Sequence, residues 1–254
     1  MITVKDVSDY INKLAPYHTM CSWDNCGLLI GNPEAEVNKI AFVLDLTKET
    51  LAEAEKNKAD LIITHHPVIF KGKKEFLRGD TVFDAAVKGI NVISAHTCFD
   101  CADGGVNDCL CDILNLNNVK KIPSDECTVP MLRMGNTEKE TDAKEFASFV
   151  AKSLNTTVRL VNCEKKVNKV AVCGGSGMSF LNDVVNSGAD LFVTGDISHH
   201  DMLEAKERGI SIVAAGHFET EYPAMTYLKN IVSSEFTEIV TIVLKQDNPV
   251  EFIN

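Results

Sequence analysis

The chain has 254 residues, 45% hydrophobic and 24% charged, which is long enough for two ordinary domains and excludes a disordered or fibrous composition. A formal net charge of −11 excludes general binding to nucleic acid or anionic lipid, because neutralising phosphate takes a basic surface; a bound metal can still make one pocket positive. No apolar run approaches the roughly 20 residues of a membrane span, and the N-terminal stretch lacks the apolar core of a signal peptide, so a cytoplasmic protein is expected.

The first element is an amphipathic helix with Val4, Val7, Ile11 and Leu14 on one face. A strand is predicted over 39–46, a helix over 47–59 opened by Thr47 as N-cap, and a strand over 60–64. A helix over 81–89 closed by Gly89, a strand over 90–96 and a helix over 105–116 complete the first block. The second block repeats the alternation, with a strand at 169–175, a helix at 179–188, a strand at 190–195, a helix at 198–209 and a strand at 210–216. Alternating strands and helices predict an α/β protein of two similar βαβ-type domains, with mostly parallel sheets covered by helices. The polar, proline-containing stretch 117–130 separates the blocks, so the expected domains are 1–125 and 126–254. The last strand, in "EIVTIVL", can return to either sheet.

Nine cysteines without an export signal predict reduced thiols. Cys98 and Cys101 are spaced C-x-x-C, with Cys109 and Cys111 close behind. A second C-x-x-C is missing, and positions two apart on a helix do not share a face, so buried thiols are expected rather than a zinc ribbon.

Chemistry in open α/β sheets collects at the carboxyl ends of strands. Six of the seven histidines lie at such ends: His65 and His66 after 60–64, His96 after 90–96, His199 and His200 after 190–195, and His217 after 210–216. Only His18 does not. Imidazole and carboxylate together suit zinc, iron, manganese, nickel or cobalt. Adjacent histidines on an extended chain point apart, so His65 and His66 serve neighbouring metals only if the backbone turns, and Pro67 ends the strand there. "HFETE" adds His217 on a loop before a helix beginning near Glu221, whose two oxygens can bridge two metals. A single strand-end histidine is ordinarily just a hydrogen-bonded polar residue, and His199 reads that way. The whole set with Asp100 does not, because buried polar groups are costly unless a common partner satisfies them.

"ITHHPVIF", "SAHTCFDCADGGVND", "TGDISHH" and "GHFETE", in this order, resemble the dinuclear-metal family of GTP cyclohydrolase 1 type 2 and NGG-interacting-factor-three-like proteins, and "WDNCGLLIG" (23–31) is similar to its N-terminal motif. The resemblance implies two divalent ions per chain in a cleft between the domains, held by His65, His66, Asp100, His217 and Glu221, and a toroidal homohexamer. Cys98 departs from it, standing where asparagine is usual, and the chain lacks the domain that longer members insert between the halves. The implied activity is metal-dependent hydrolysis of a nucleotide or another small phosphorylated or cyclic-amide compound, with an anionic substrate favoured by the metal charge. The alternative is a non-enzymatic metal-binding or protein-interaction module. His96, Asp196 and His200 are the candidates for proton transfer or ligand orientation, although Asp196 reads equally as a helix N-cap.

Three further features carry less. The turn "CGGSGMSF" (173–180) lacks the third glycine of a dinucleotide fingerprint and reads as a tight turn before a phosphate cradle. Lys71, Lys73 and Lys74 form a solvated loop that could meet a phosphate. Trp23, the only tryptophan, reads as a core or interface anchor before a base-stacking residue.

Overall fold

The computed structural model describes residues 1–124 and 129–251, and the expected domain boundary at 125/126 lies outside them. The chain divides into two compact units. One is Met1–Asp103 with Met225–Pro249, and the other is built on Gly104–Ala224.

In chain order the strands are β1 (Gly27–Ile30), β2 (Lys39–Val43), β3 (Leu61–Thr64), β4 (Asn91–Ser94), β5 (Asn117–Lys121), β6 (Arg133–Asp142), β7 (Arg159–Val161), β8 (Lys166–Cys173), β9 (Leu191–Thr194), β10 (Ser211–Ala214) and β11 (Val240–Val243). The first unit carries a sheet ordered β1-β4-β3-β2-β11, antiparallel only between β1 and β4. The last strand therefore returns to the first sheet. The second unit carries the order β5-β6-β8-β9-β10-β7, in which only β8-β9 and β9-β10 are parallel. The α/β expectation holds, with a more antiparallel second sheet than the alternation suggested. Its extra strands flank the parallel core, and β5 is largely exposed, β7 at most half-buried and β6 buried only at its start, so no unbroken apolar run marked them; the helix Ala143–Ser153 joins β6 to β7.

Local chemistry sets the element ends. Val4, Val7 and Ile11 are buried on the helix Val4–Leu14, which Thr3 and Asp6 close with a capping box. Thr47 and Thr50 do the same for Lys48–Lys56, and Ser198 and Asp201 for His199–Glu207. The parallel strands β3, β4, β9 and β10 are buried along their whole length, which is why they read as unbroken apolar runs. The helix Val106–Ile113 packs Leu110 and Cys111 into the second unit's core with Val150, Val172 and Val193. In the first unit Ala41, Val43, Ile62 and Val92 pack with Leu51 and Ala54 of the covering helix.

Among the described cysteines, Cys26, Cys98, Cys101, Cys109, Cys111, Cys163 and Cys173 are free thiols. Cys21 is disulfide-bonded, which corrects the all-thiol expectation; pair geometry, not composition, decides a disulfide. Cys127 lies outside the described residues.

Candidate functional site

In the first unit the chain turns sharply after β3. The hydroxyl of Thr64 donates to the carbonyl of His66 at 2.8 Å, closing a two-residue turn before Pro67. The backbone turn that the double histidine requires is thus present, and the two rings lie 5.1 Å apart instead of on opposite faces. His96, at the end of β4, joins them with ring centroids 5.1 Å from His65 and 5.4 Å from His66. One ring nitrogen from each of the three lies within 4.8 Å of the others.

Each ring of this trio is fixed through Nδ1. His65 donates to the carbonyl of Ala95 at 2.9 Å, His66 to Oδ1 of Asp45 at 2.7 Å, and His96 to Oδ1 of Asp24 at 2.9 Å. An acceptor at Nδ1 puts the proton there and makes Nε2 the lone-pair nitrogen, the tautomer that metal-ligating histidines take. The short helix Thr97–Cys101 follows His96 and buries Asp100, whose Oδ1 lies 3.6 Å from Nε2 of His65. A lone-pair nitrogen facing a carboxylate oxygen at that distance is repulsive unless a proton or cation stands with them. Asp24 is firmly held. Burial pulls its carboxyl up, but hydrogen bonds and charge from His96, then the Thr97 hydroxyl, pull it further down, and the net is a strongly lowered pKa.

The second unit builds a smaller cluster at the ends of β9 and β10. His217 opens the helix His217–Glu221, correcting its expected place on a loop; Gly216, at φ +92°, turns the chain into that helix. Nδ1 of His217 donates to Oδ2 of Asp196 at 2.7 Å, and Nε2 lies 3.2 Å from Oε2 of Glu221 one helical turn on. The Glu221 hydrogen bond, against burial and with Asp196, raises the His217 pKa to about 9. Buried Glu221 sits under the glycine turn. A Cβ on Gly175, whose φ is +61°, would meet Oε1 of Glu221 at 2.2 Å. The amides of Gly174, Gly175 and Gly177 donate to Asn107, Thr220 and Thr194, so this turn spends those N–H groups on the protein. The tight-turn reading holds over the phosphate cradle.

The remaining candidates fall as follows. Asp196 is no helix cap. Ser198 caps the next helix, while Asp196 accepts from Ser176 and His217. His200 is exposed on the first turn of His199–Glu207 against the ring of His199, and no described contact joins it to His217, Glu221 or Asp196. The four cysteines at 98, 101, 109 and 111 are buried, and burial pushes the Cys111 thiol up to about 12. The hydrogen bond with Cys26, then burial, also raises Cys98. Thiols held protonated are poor zinc ligands, in keeping with the buried-thiol reading. Asp24 and Asp45 escaped sequence reasoning because they act across 72 and 21 residues of chain. One missed signal was legible: "HTCFD" and "HFETE" both place a carboxylate four residues after a histidine.

The donor set, anchored imidazoles with buried carboxylates, fits a divalent transition metal. No helix among the described residues is long and apolar enough to cross a membrane. The profile of the family Duf34/NIF3 (NGG1p interacting factor 3) matches residues 2–249. A GTP cyclohydrolase 1 type 2 homolog of Clostridium perfringens is 32% identical over 98% of this chain and 99% of its own. The protein NIF3 homolog of Schizosaccharomyces pombe is 34% identical over 83% of this chain and 81% of its own. Among solved structures, a hypothetical protein of Staphylococcus aureus is 28% identical, with a TM-score of 0.92 over 99% of both chains.

Proposed function

The chain belongs to the Duf34/NIF3 family, and we propose that it is a metal-dependent hydrolase holding two divalent ions through His65, His66, Asp100, His217 and Glu221. The observation that carries this reading is the Nδ1 anchoring of His65, His66, His96 and His217, each to a carbonyl or carboxylate; it leaves Nε2 as the lone-pair nitrogen of the first three, while Nε2 of His217 faces Glu221, where a divalent ion would replace its proton. Capping or core-filling histidines have no reason to be anchored through the same nitrogen.

When bound, divalent ions acidify a coordinated water and polarise the electrophile. The chain's own residues do the rest. Asp45 and Asp196 orient the ligands His66 and His217. Asp24 holds the His96 ring, so that its Nε2 can take up a proton and return it to the leaving group. His200 is the outer candidate for proton exchange with solvent. The substrate class is an anionic nucleotide or another small phosphorylated or cyclic-amide compound. The name of the Clostridium relative, a cyclohydrolase homolog, supports a hydrolytic reaction on a ring. The assembly proposed with it is a homohexamer, for which light scattering should report six chains.

The test is a substrate screen on protein whose metal content has been measured. About two ions per chain are expected, with hydrolysis that a chelator abolishes. His96→Gln should lower turnover while leaving metal content near two. If it empties the site instead, His96 is a ligand. A fully metallated protein that leaves nucleotides, phosphoesters and cyclic amides intact would put a non-enzymatic metal-binding module in place of the hydrolase.

A further inference from the structure

Two large aromatic side chains stand exposed beside the imidazole trio. Trp23 is 55% exposed and Phe70 46%, so Trp23 is not the core anchor that its solitary occurrence suggested. Their rings lie 5.6 Å apart at 47°, and both face His96, at 5.9 and 6.3 Å. Two apolar rings of this size in water have a cost that a monomer ordinarily avoids.

Their placement is built, not incidental. Asp24, the residue after Trp23, accepts from His96 Nδ1 and from both the amide and the hydroxyl of Thr97. Asn25 then donates its side-chain amide to the carbonyl of Ile69 at 2.7 Å, the residue before Phe70. One short segment thus ties the tryptophan to the histidine and both to the phenylalanine loop. The separation of the two rings decides how they can be used. A ring inserted between them would need roughly 7 Å, twice the van der Waals spacing of carbon, so the pair makes an open platform and not a clamp. Lys71 and Lys74 follow Phe70 on an exposed stretch of an otherwise acidic chain, while Lys73 is paired with Asp80.

We infer that Trp23 and Phe70 form a stacking platform for the planar heteroaromatic ring of an anionic small molecule, seated beside His96 with Lys71 and Lys74 toward its phosphate. The inference deepens the proposed function and rests on it for the location of the reacting group; the platform itself can be tested without turnover. Stacking suits this surface because every heteroaromatic ring has a π-face, whereas a purely aliphatic sugar phosphate gains nothing from indole.

Trp23 is the only tryptophan, so its fluorescence reports on this position alone. The metal-loaded full chain is titrated with adenosine 5′-monophosphate and, in parallel, with ribose 5-phosphate. Saturable quenching by the nucleotide, with ribose 5-phosphate binding on the order of 10-fold more weakly, is expected. Phe70→Ala should weaken nucleotide binding by a similar factor, and Trp23→Ala should do so by calorimetry, with metal content unchanged in both. Equal affinity for the two ligands, or unaltered nucleotide affinity in Trp23→Ala, overturns the platform. So does a Trp23→Ala chain that loses its oligomeric mass in light scattering without losing nucleotide affinity, since the indole is then an interface residue. Nucleotide quenching that persists where no hydrolysis is found supports the platform and counts only against the hydrolase reading.

Discussion

In the first unit Oδ2 of Asp60 accepts the amides of Asn38 and Lys39; in the second, Oδ2 of Asp190 accepts those of Asn168 and Lys169. The parallel registers match as well, Ile40 opposite Leu61 and Val170 opposite Leu191. Both cores then end the third strand in a histidine followed four residues later by a carboxylate, His96 with Asp100 and His217 with Glu221. The difference lies one strand earlier. After β3 the first unit places His65 and His66, whereas the second places Gly195 and Asp196 at the end of β9. A Cβ on Gly195 would meet the carbonyl of Gly175 at 2.6 Å, so the glycine turn over Glu221 occupies the room that a histidine takes in the first unit. The same scaffold thus yields an imidazole-rich cluster in one copy and a carboxylate-supported single imidazole in the other. The backbone ladder continues through both ends, with the amides of His65 and His66 on the carbonyls of Val43 and Leu44 and those of Gly195 and Asp196 on that of Gly175, so the side chains there can differ without changing the sheet.

Removing a member of either cluster tests whether both serve one metal centre. Glu221→Ala and His65→Ala should each lose most bound metal, exceeding the roughly 10- to 100-fold typical of deleting a ligand's hydrogen-bond partner. Elemental analysis decides, and full occupancy in either variant would separate that cluster from metal binding.

The ring-orienting acids sharpen the comparison. Asp24→Asn, which frees His96, should lower turnover, and Asp196→Asn, which frees the ligand His217, should lower metal affinity, each by about 10- to 100-fold at most. The loss in Asp24→Asn should be the larger, because its side chain is fully buried while that of Asp196 is 56% exposed. A metal titration in which Asp24→Asn loses more affinity than Asp196→Asn would place His96 among the ligands.

Gly175→Ala attacks the second cluster alone. The positive φ and the contact with Glu221 should cost about 1–3 kcal/mol, read by chemical denaturation, with weakened metal binding. Removing the shared clasp should act on both cores alike. Asp60→Ala and Asp190→Ala should each destabilise by about 1–2 kcal/mol through two lost backbone partners.

The smallest effect is a pH dependence. In metal-free protein the His217 pKa is raised to about 9 by Glu221 and Asp196. A raised folded pKa stabilises fully below the unfolded value near 6.5, and that stability is lost as pH rises through 9. The stability difference between wild type and His217→Ala, without metal, should therefore shrink over that window. It should stay under about 1 kcal/mol for a ring this exposed. A pH-independent difference between the two proteins would break the reading that Glu221 and Asp196 hold the His217 charge.

Much of this architecture was legible from the chain alone. Unbroken apolar runs such as "LIIT" and "NVIS" marked fully buried parallel strands, and Thr47 marked the start of the helix between β2 and β3, because both signals are local. The histidines and carboxylates at the strand ends were legible for the same reason, since the end of a buried strand is where a polar residue first reaches open space. The flanking antiparallel strands β5, β6 and β7 were not, because they are exposed or half-buried over much of their length and carry no unbroken apolar run. Nor were Asp24 and Asp45 as anchors of His96 and His66, the turn that brings His65 and His66 to one side, or the exposure of Trp23 beside His96. Each of these depends on which distant segments meet, and a hydrogen bond spanning 72 residues leaves no periodicity in the sequence. Local chemistry determined the elements and the residue types at the strand ends; only tertiary packing decided the anchored ring nitrogens, the ring positions and the side chains that hold them.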